Sequence, residues 1–233
     1  MPTTPSGQST VTTEVLPAEQ LSIQQPKSGY RYNMDPFLLA DAVTLETGTN
    51  VLDLGTGVGV IPLLLARRFP SAGPFTGIEI QPELANLAQN NTILNKLQNR
   101  ITIHHGDYRF SQNIAPPASF ATVITNPPYY QKQQGRLNQC RQKAIARHEI
   151  TTDLTSLATT SAYFLKPNGR IFVIYPAERL SSLLAAFTKQ KLIPKQLQCI
   201  HPRPDEPAEL VILTARKNGR EGLEIAAPRV IQS

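Results

Sequence analysis

The sequence predicts an α/β fold, a doubly wound and mostly parallel sheet of seven strands with an antiparallel strand at one edge. Three features carry that prediction. From residue 51 onward, short apolar strand patterns alternate with helical ones, the rhythm of βαβ units. The stretch VLDLGTGVGV places clustered glycines at a strand-to-helix junction. Near the end, residues 196–201 and 209–216 read as strands joined by PRPDEP, which has no helical signal, so they predict a hairpin at the sheet edge.

The elements follow in order. Residues 1–20 are rich in Thr, Ser and Pro without periodic apolar positions, so they read as a mobile tail, with 21–233 a single domain opening on an N-terminal arm. DPFLLADAVTL reads as a helix: Asp35 suits the N-cap, Pro36 the first helical position, and Phe37, Leu38, Ala40 and Leu45 supply apolar contacts. Strands are expected at 51–54 and 75–80, with a helix at 59–69 between them. The helix at 82–95 carries Leu84, Leu87, Ala88 and Leu94 along one side. Strands at 101–104 and 120–125 and a helix at 152–165 come next, and Pro167-Asn168-Gly169 turns the chain into a strand at 170–175.

Composition narrows the class. A chain of 233 residues, 40% hydrophobic and 17% charged, can bury its own core and is not wholly disordered. It has no apolar run of about 18 residues to span a membrane. The first twenty residues lack Lys, Arg and the apolar stretch of a secretory leader. Cys140 and Cys199 do not make a disulfide framework, and without CxxC pairs and with only four His no metal site is expected. The expectation is a cytoplasmic protein, with a monomer favoured over an oligomer and the oligomeric state left open. The net charge is +6, and Lys132, Arg136, Arg141, Lys143 and Arg147 supply five positive charges within residues 126–147, where no Asp or Glu occurs. Alone, such a run is a solvated loop; beside a site that acts on a nucleotide it becomes a surface for phosphates.

Gly55, Gly57 and Gly59 follow an apolar strand and precede a helix, where glycine permits tight turning and close approach of backbone to a ligand. Position 60 is Val, so the spacing is GxGxG rather than the GxGxxG of dinucleotide sites. With Asp53 ahead of it, the loop resembles the S-adenosylmethionine loop of class I methyltransferases. Glu79 ends the next strand, 22 residues beyond Gly57, where a carboxylate can accept from both ribose hydroxyls. Asp107, in HHGDY, can accept from an adenine amino group, and Tyr108 can pack on the ring. These acids come from successive strand ends, where open α/β sheets bind ligands.

Thr125-Asn126-Pro127-Pro128-Tyr129 ends the strand at 120–125. An exocyclic amine is a poor nucleophile because its lone pair is delocalised into the ring. Acceptors aimed at its N–H bonds localise that pair and stabilise the positive charge that develops as methyl transfers. Asn126 offers a side-chain carbonyl and Pro127 a backbone carbonyl, and neither proline has an N–H to compete. Pro128 restricts residue 127 to extended conformations, which fixes where its carbonyl points. Tyr129 can stack on a planar substrate.

DLGTGVG, Glu79, Asp107 and NPPY in this order resemble the amino-methyltransferases with a Rossmann-like class I fold. From about Gln25 to Ile231 the chain resembles the bacterial tRNA adenine-N6 methyltransferases, which act on the adenine 3′ of the anticodon of a valine tRNA. The segments that carry this resemblance are GYRYNMDPFLLADAV, NPPYY, ARHEI at 146–150 and KNGREGLEIAAPRVI. The resemblance implies S-adenosylmethionine as cofactor and tRNA as partner, with Lys132, Arg136, Arg141, Lys143 and Arg147 reaching phosphates beside a base held at Tyr129. Arg147 and His148 could instead brace the site. The catalytic turn also suits the glutamine-N5 methyltransferases of release factors, which usually carry a helical substrate domain before the glycine loop, and guanine-N2 methyltransferases of ribosomal RNA. A cofactor-binding RNA chaperone is the reading outside catalysis.

Overall fold

The computed structural model describes residues 10–127 and 154–231. Their order is β1 (Val11–Leu16), β2 (Leu21–Pro26), α1 (Asp35–Ala42), β3 (Val51–Leu54), α2 (Val60–Arg68), β4 (Phe75–Glu79), α3 (Pro82–Leu94) and β5 (Ile101–His105). After a 3-10 turn (Tyr108–Asn113) come β6 (Phe120–Thr125), α4 (Leu154–Phe164), β7 (Leu165–Pro176), α5 (Leu180–Lys189), β8 (Leu192–His201) and β9 (Leu210–Lys217). Two short strands, β10 (Glu224–Ile225) and β11 (Arg229–Val230), close the order.

The main sheet runs β8-β9-β7-β6-β3-β4-β5. β3, β4, β5, β6 and β7 are mutually parallel, and β9 is antiparallel to both neighbours, β7 and β8. The expected hairpin is therefore β8–β9, with β9 turned back inside β8. β10 and β11 add to β8, so the expected seven strands carry two short additions. The order reverses at β3: β4 and β5 continue to one side, β6 and β7 to the other.

Both faces are covered, which is why the strands read as near-continuous apolar runs. Along β7 the pleat sends Ile171, Val173 and Tyr175 to one core cluster and Phe172 and Ile174 to the other. Leu38, Leu63 and Leu84 of α1, α2 and α3 belong to the second of these, and Leu157, Leu183 and Phe187 of α4 and α5 to the first. α5 has no counterpart among the elements expected from the sequence. Leu183 and Phe187 are four positions apart and fully buried, each worth roughly 1.5–3 kcal/mol.

Residues 11–16, placed in the tail by composition, form β1 and pair in register with β2 from Val11–Pro26 to Leu16–Leu21. The missed signal was period-two alternation: Leu21, Ile23 and Gln25 are buried, and their neighbours less so. α1 begins one residue earlier than expected, with Met34 rather than Asp35 at the N-cap and the Asn33 side-chain oxygen accepting from Asp35 N at 3.0 Å. On α3 the buried stripe does not run through Leu94, which is 45% exposed; it continues through Asn91 and Asn95. These two amides act as a surrogate strand for β2. Asn95 Oδ1 accepts from Ser22 N at 2.9 Å while its Nδ2 donates to Ser22 O at 2.8 Å. Asn91 Oδ1 accepts from Gln24 N at 2.7 Å while its Nδ2 donates to Gln24 O and Val58 O, both at 2.9 Å. The edge of β2 is thus satisfied without another strand.

Candidate active site

The register of the sheet assembles the site. Leu54 pairs with Ile78 on one side and Thr125 on the other, so the residues that follow, Gly55, Glu79 and Asn126, emerge side by side at one sheet end. Thr125 Oγ1 donates to Leu54 O at 2.9 Å and ties the two exits together. This is the point where strand order reverses, at the carboxyl ends of the strands, where open α/β sheets hold ligands.

The glycine loop is held from β4. Gly55 N and Thr56 N both donate to Ile78 O, at 2.9 and 3.0 Å. Gly57 has φ +59 and Gly59 φ +85, the left-handed region that side chains disfavour. A Cβ on Gly59 would stand 3.3 Å from Ala88 Cβ, so this third glycine also lets α2 approach α3 closely.

Glu79 braces the loop as well as facing the cleft. Its Oε2 accepts from Gly57 N and its Oε1 from Gln81 N, each at 2.9 Å, and the residue is 5% exposed. Each oxygen keeps a lone pair, so ribose hydroxyls can still donate. Burial raises its pKa, and the backbone donors around it offset part of that rise.

Asp53 is 1% exposed and neither carboxyl oxygen has a well-formed hydrogen bond among the described residues. Burial lifts its pKa to about 7, the Thr56 hydroxyl works against that rise, and the charge of Glu79 adds to it. A buried acid without partners is costly unless a cation or donor arrives. An orphaned acid beside a glycine cradle fits S-adenosylmethionine, whose ammonium and sulfonium are both cationic. The consequence is testable. With its folded pKa above the unfolded value, Asp53 binds protons more readily in the folded chain, so the stability of the free protein falls as pH rises from about 4 to 7. A cationic ligand that needs the ionised form binds more tightly over the same range, by up to about tenfold per pH unit, and levels off above 7. Calorimetry at pH 5.5–7.5 should show about one proton released per ligand at the acid end, and Asp53→Asn should abolish that release.

Asp107 stands beyond β5 at the same sheet end but is already engaged. Oδ1 accepts from Arg109 N at 2.9 Å and Nε at 3.0 Å, and Oδ2 accepts from Nε at 2.9 Å. An adenine amine would therefore share this carboxylate with Arg109. Tyr108, expected to pack on the adenine, belongs to the core cluster with Leu52, Leu54 and Ile78. Among the described residues it is Phe110 that is exposed, with the Arg109 guanidinium 5.6 Å from its ring centroid. Asn126 is partly buried and Pro127 buried at the end of β6. Tyr129, Lys132, Arg136, Arg141, Lys143, Arg147 and His148 lie outside the described residues. No group of His, Cys, Asp and Glu among the described residues could hold a metal, and no described helix is long and apolar enough to cross a membrane.

This combination of sheet order, glycine loop and acids at successive strand ends defines a class I methyltransferase. The family model for the methyltransferase small domain matches residues 35–195, and the chain belongs to that family. Among curated relatives, a tRNA1(Val) (adenine(37)-N6)-methyltransferase of Porphyromonas gingivalis is 31% identical over 206 residues, covering 85% of this chain and 80% of the relative. One of Vibrio cholerae with the same name is 28% identical over 194 residues, covering 83% and 78%. Among solved structures, a predicted O-methyltransferase from Agrobacterium tumefaciens superposes with TM-score 0.69 at 25% identity, covering 85% of this chain and 88% of that one. A geranyl diphosphate methyltransferase in complex with SAM shares the fold, with TM-score 0.59 at 12% identity over 78% of this chain and 84% of that one.

Proposed function

We propose that this methyltransferase transfers the methyl group of S-adenosylmethionine to the exocyclic N6 of an adenine in tRNA, the purine 3′ of the anticodon of a valine tRNA, in the cytoplasm. The observation that carries the reading is the pairing of Leu54 with Thr125, which sets Asn126 and Pro127 beside Gly55. The residues that would activate an amine therefore leave the sheet next to the residues that would cradle the donor.

The roles follow from the chemistry. When bound, the cofactor supplies an electrophilic methyl on a sulfonium. Glu79 orients the ribose, and Asp53 takes the ammonium. The Asn126 side-chain carbonyl and the Pro127 backbone carbonyl accept from the two N–H bonds of the target amine and stabilise its developing positive charge. The product ammonium is acidic and loses its proton to water, so no protein base is required.

One surface feature favours RNA over a release factor. Phe110 is 75% exposed beneath the Arg109 guanidinium, a cation-bearing aromatic face on which an unstacked base can lie. The relatives' names point to the same substrate. The test is incubation of the protein with methyl-labelled cofactor, total tRNA and a release factor, followed by mass spectrometry of nucleosides and peptides. Label in N6-methyladenosine of tRNA is expected. Label in a glutamine amide or in guanine would transfer the reading to one of its rivals.

A further inference from the structure

Tyr30, between β2 and α1, has no part in the steps above. It stands directly over the glycine loop: a Cβ on Gly57 would meet Tyr30 Oη at 2.8 Å and Cε1 and Cζ at 3.2 Å. Gly57 is also the residue whose N–H donates to Glu79, so the phenol and that carboxylate both approach the same glycine. The segment is anchored on both sides. β2 is clasped by Asn91 and Asn95, and Leu38 and Leu39 of α1 are buried in the core. Tyr30 is therefore a fixture of the cleft.

Its surroundings are acidic. Burial and the charges of Glu79, Asp53 and Asp35 raise its pKa far above that of an ordinary phenol, so the hydroxyl stays protonated and is a donor at any working pH. The amino-acid end of S-adenosylmethionine is a zwitterion. Its ammonium suits the buried acids, but its carboxylate needs a donor that is not repelled by them and does not neutralise them. A neutral phenol meets both conditions.

We propose that Tyr30 donates its hydroxyl hydrogen to the α-carboxylate of the cofactor, over Gly57 and beside the N-terminal end of α2, while Asp53 holds the ammonium. The proposal rests on the methyl-donor reading and gives the N-terminal arm a role in binding. The α2 end contributes backbone N–H groups and a favourable dipole for the same carboxylate.

The test is calorimetry on the full chain with two ligands, S-adenosylmethionine and its decarboxylated analogue, comparing wild type with Tyr30→Phe. Phenylalanine keeps the ring over Gly57 and removes only the hydroxyl. The variant should lose roughly ten- to a hundredfold in affinity for S-adenosylmethionine, the range for a hydrogen bond to a charged group, and bind the analogue as wild type does. Taking the ratio of the two affinities within one preparation makes the result insensitive to the folded fraction. Equal losses for both ligands, or no loss for either, would overturn the assignment. A wild-type protein that binds neither ligand would overturn the cofactor reading itself.

Discussion

Replacing Asn126 by Ala should lower single-turnover methyl transfer by about a hundredfold or more while cofactor affinity stays within about twofold of wild type. Asn126 follows the last residue of β6, and Thr125, which ties β6 to β3, is untouched. The glycine loop, Glu79 and Asp53 all lie on β3, β4 and the turn between β3 and α2, so the donor side of the cleft is built from other elements than β6. The Ala variant keeps the Pro127 carbonyl but loses one of the two acceptors for the target amine. That loss matters most when the nitrogen carries positive charge, which is why the effect belongs to the transition state rather than to binding. Rapid mixing of tRNA with an excess of cofactor-saturated enzyme, with calorimetry of the cofactor alone, separates the two. Near-normal single-turnover transfer by the variant would remove the amine-activation role from this turn.

The parts of the site that could be read from the sequence are those set by short-range pattern. Gly55, Gly57 and Gly59 sit between a recognisable strand and helix, and of the strands that flank β3, β4 closes on Glu79 and β6 is followed directly by Asn126. Knowing that parallel strands present their carboxyl ends together is enough to gather these residues. Part of what escaped depends on packing between distant segments. Nothing local in GYRYNMD tells that Tyr30 crosses Gly57, whereas Arg109 occupies Asp107 from only two residues away, a contact within reach of the sequence. Leu94 matched an apolar stripe, but the surface beneath that face of α3 is the backbone edge of β2, which needs the amides of Asn91 and Asn95. β1 was missed because composition outweighed its β-branched Val and Thr, and α5 although Leu183 and Phe187 stand at helical spacing.

Glu79→Ala should weaken S-adenosylmethionine binding by roughly 1–3 kcal/mol, about ten- to a hundredfold, from the lost charge-assisted hydrogen bonds to the ribose. The geometry puts the result toward the upper end of that range. Glu79 also accepts from Gly57 N and Gln81 N, so removing the carboxylate leaves two backbone donors without their partner and loosens the loop that cradles the ligand. A second variant separates the roles. Glu79→Gln retains one carbonyl oxygen, but its amide nitrogen cannot accept from either backbone donor, so one brace is lost and one kept. If ribose contact dominates, Gln should recover much of the affinity lost in Ala. If the loop brace dominates, Gln should recover only about the share carried by the one brace it keeps, and Gly57 N should exchange its hydrogen faster in Ala than in wild type. Calorimetry with hydrogen exchange of the loop reads both quantities. An unchanged affinity in Glu79→Ala would take this carboxylate out of the cofactor site and leave it as a brace for the turn alone.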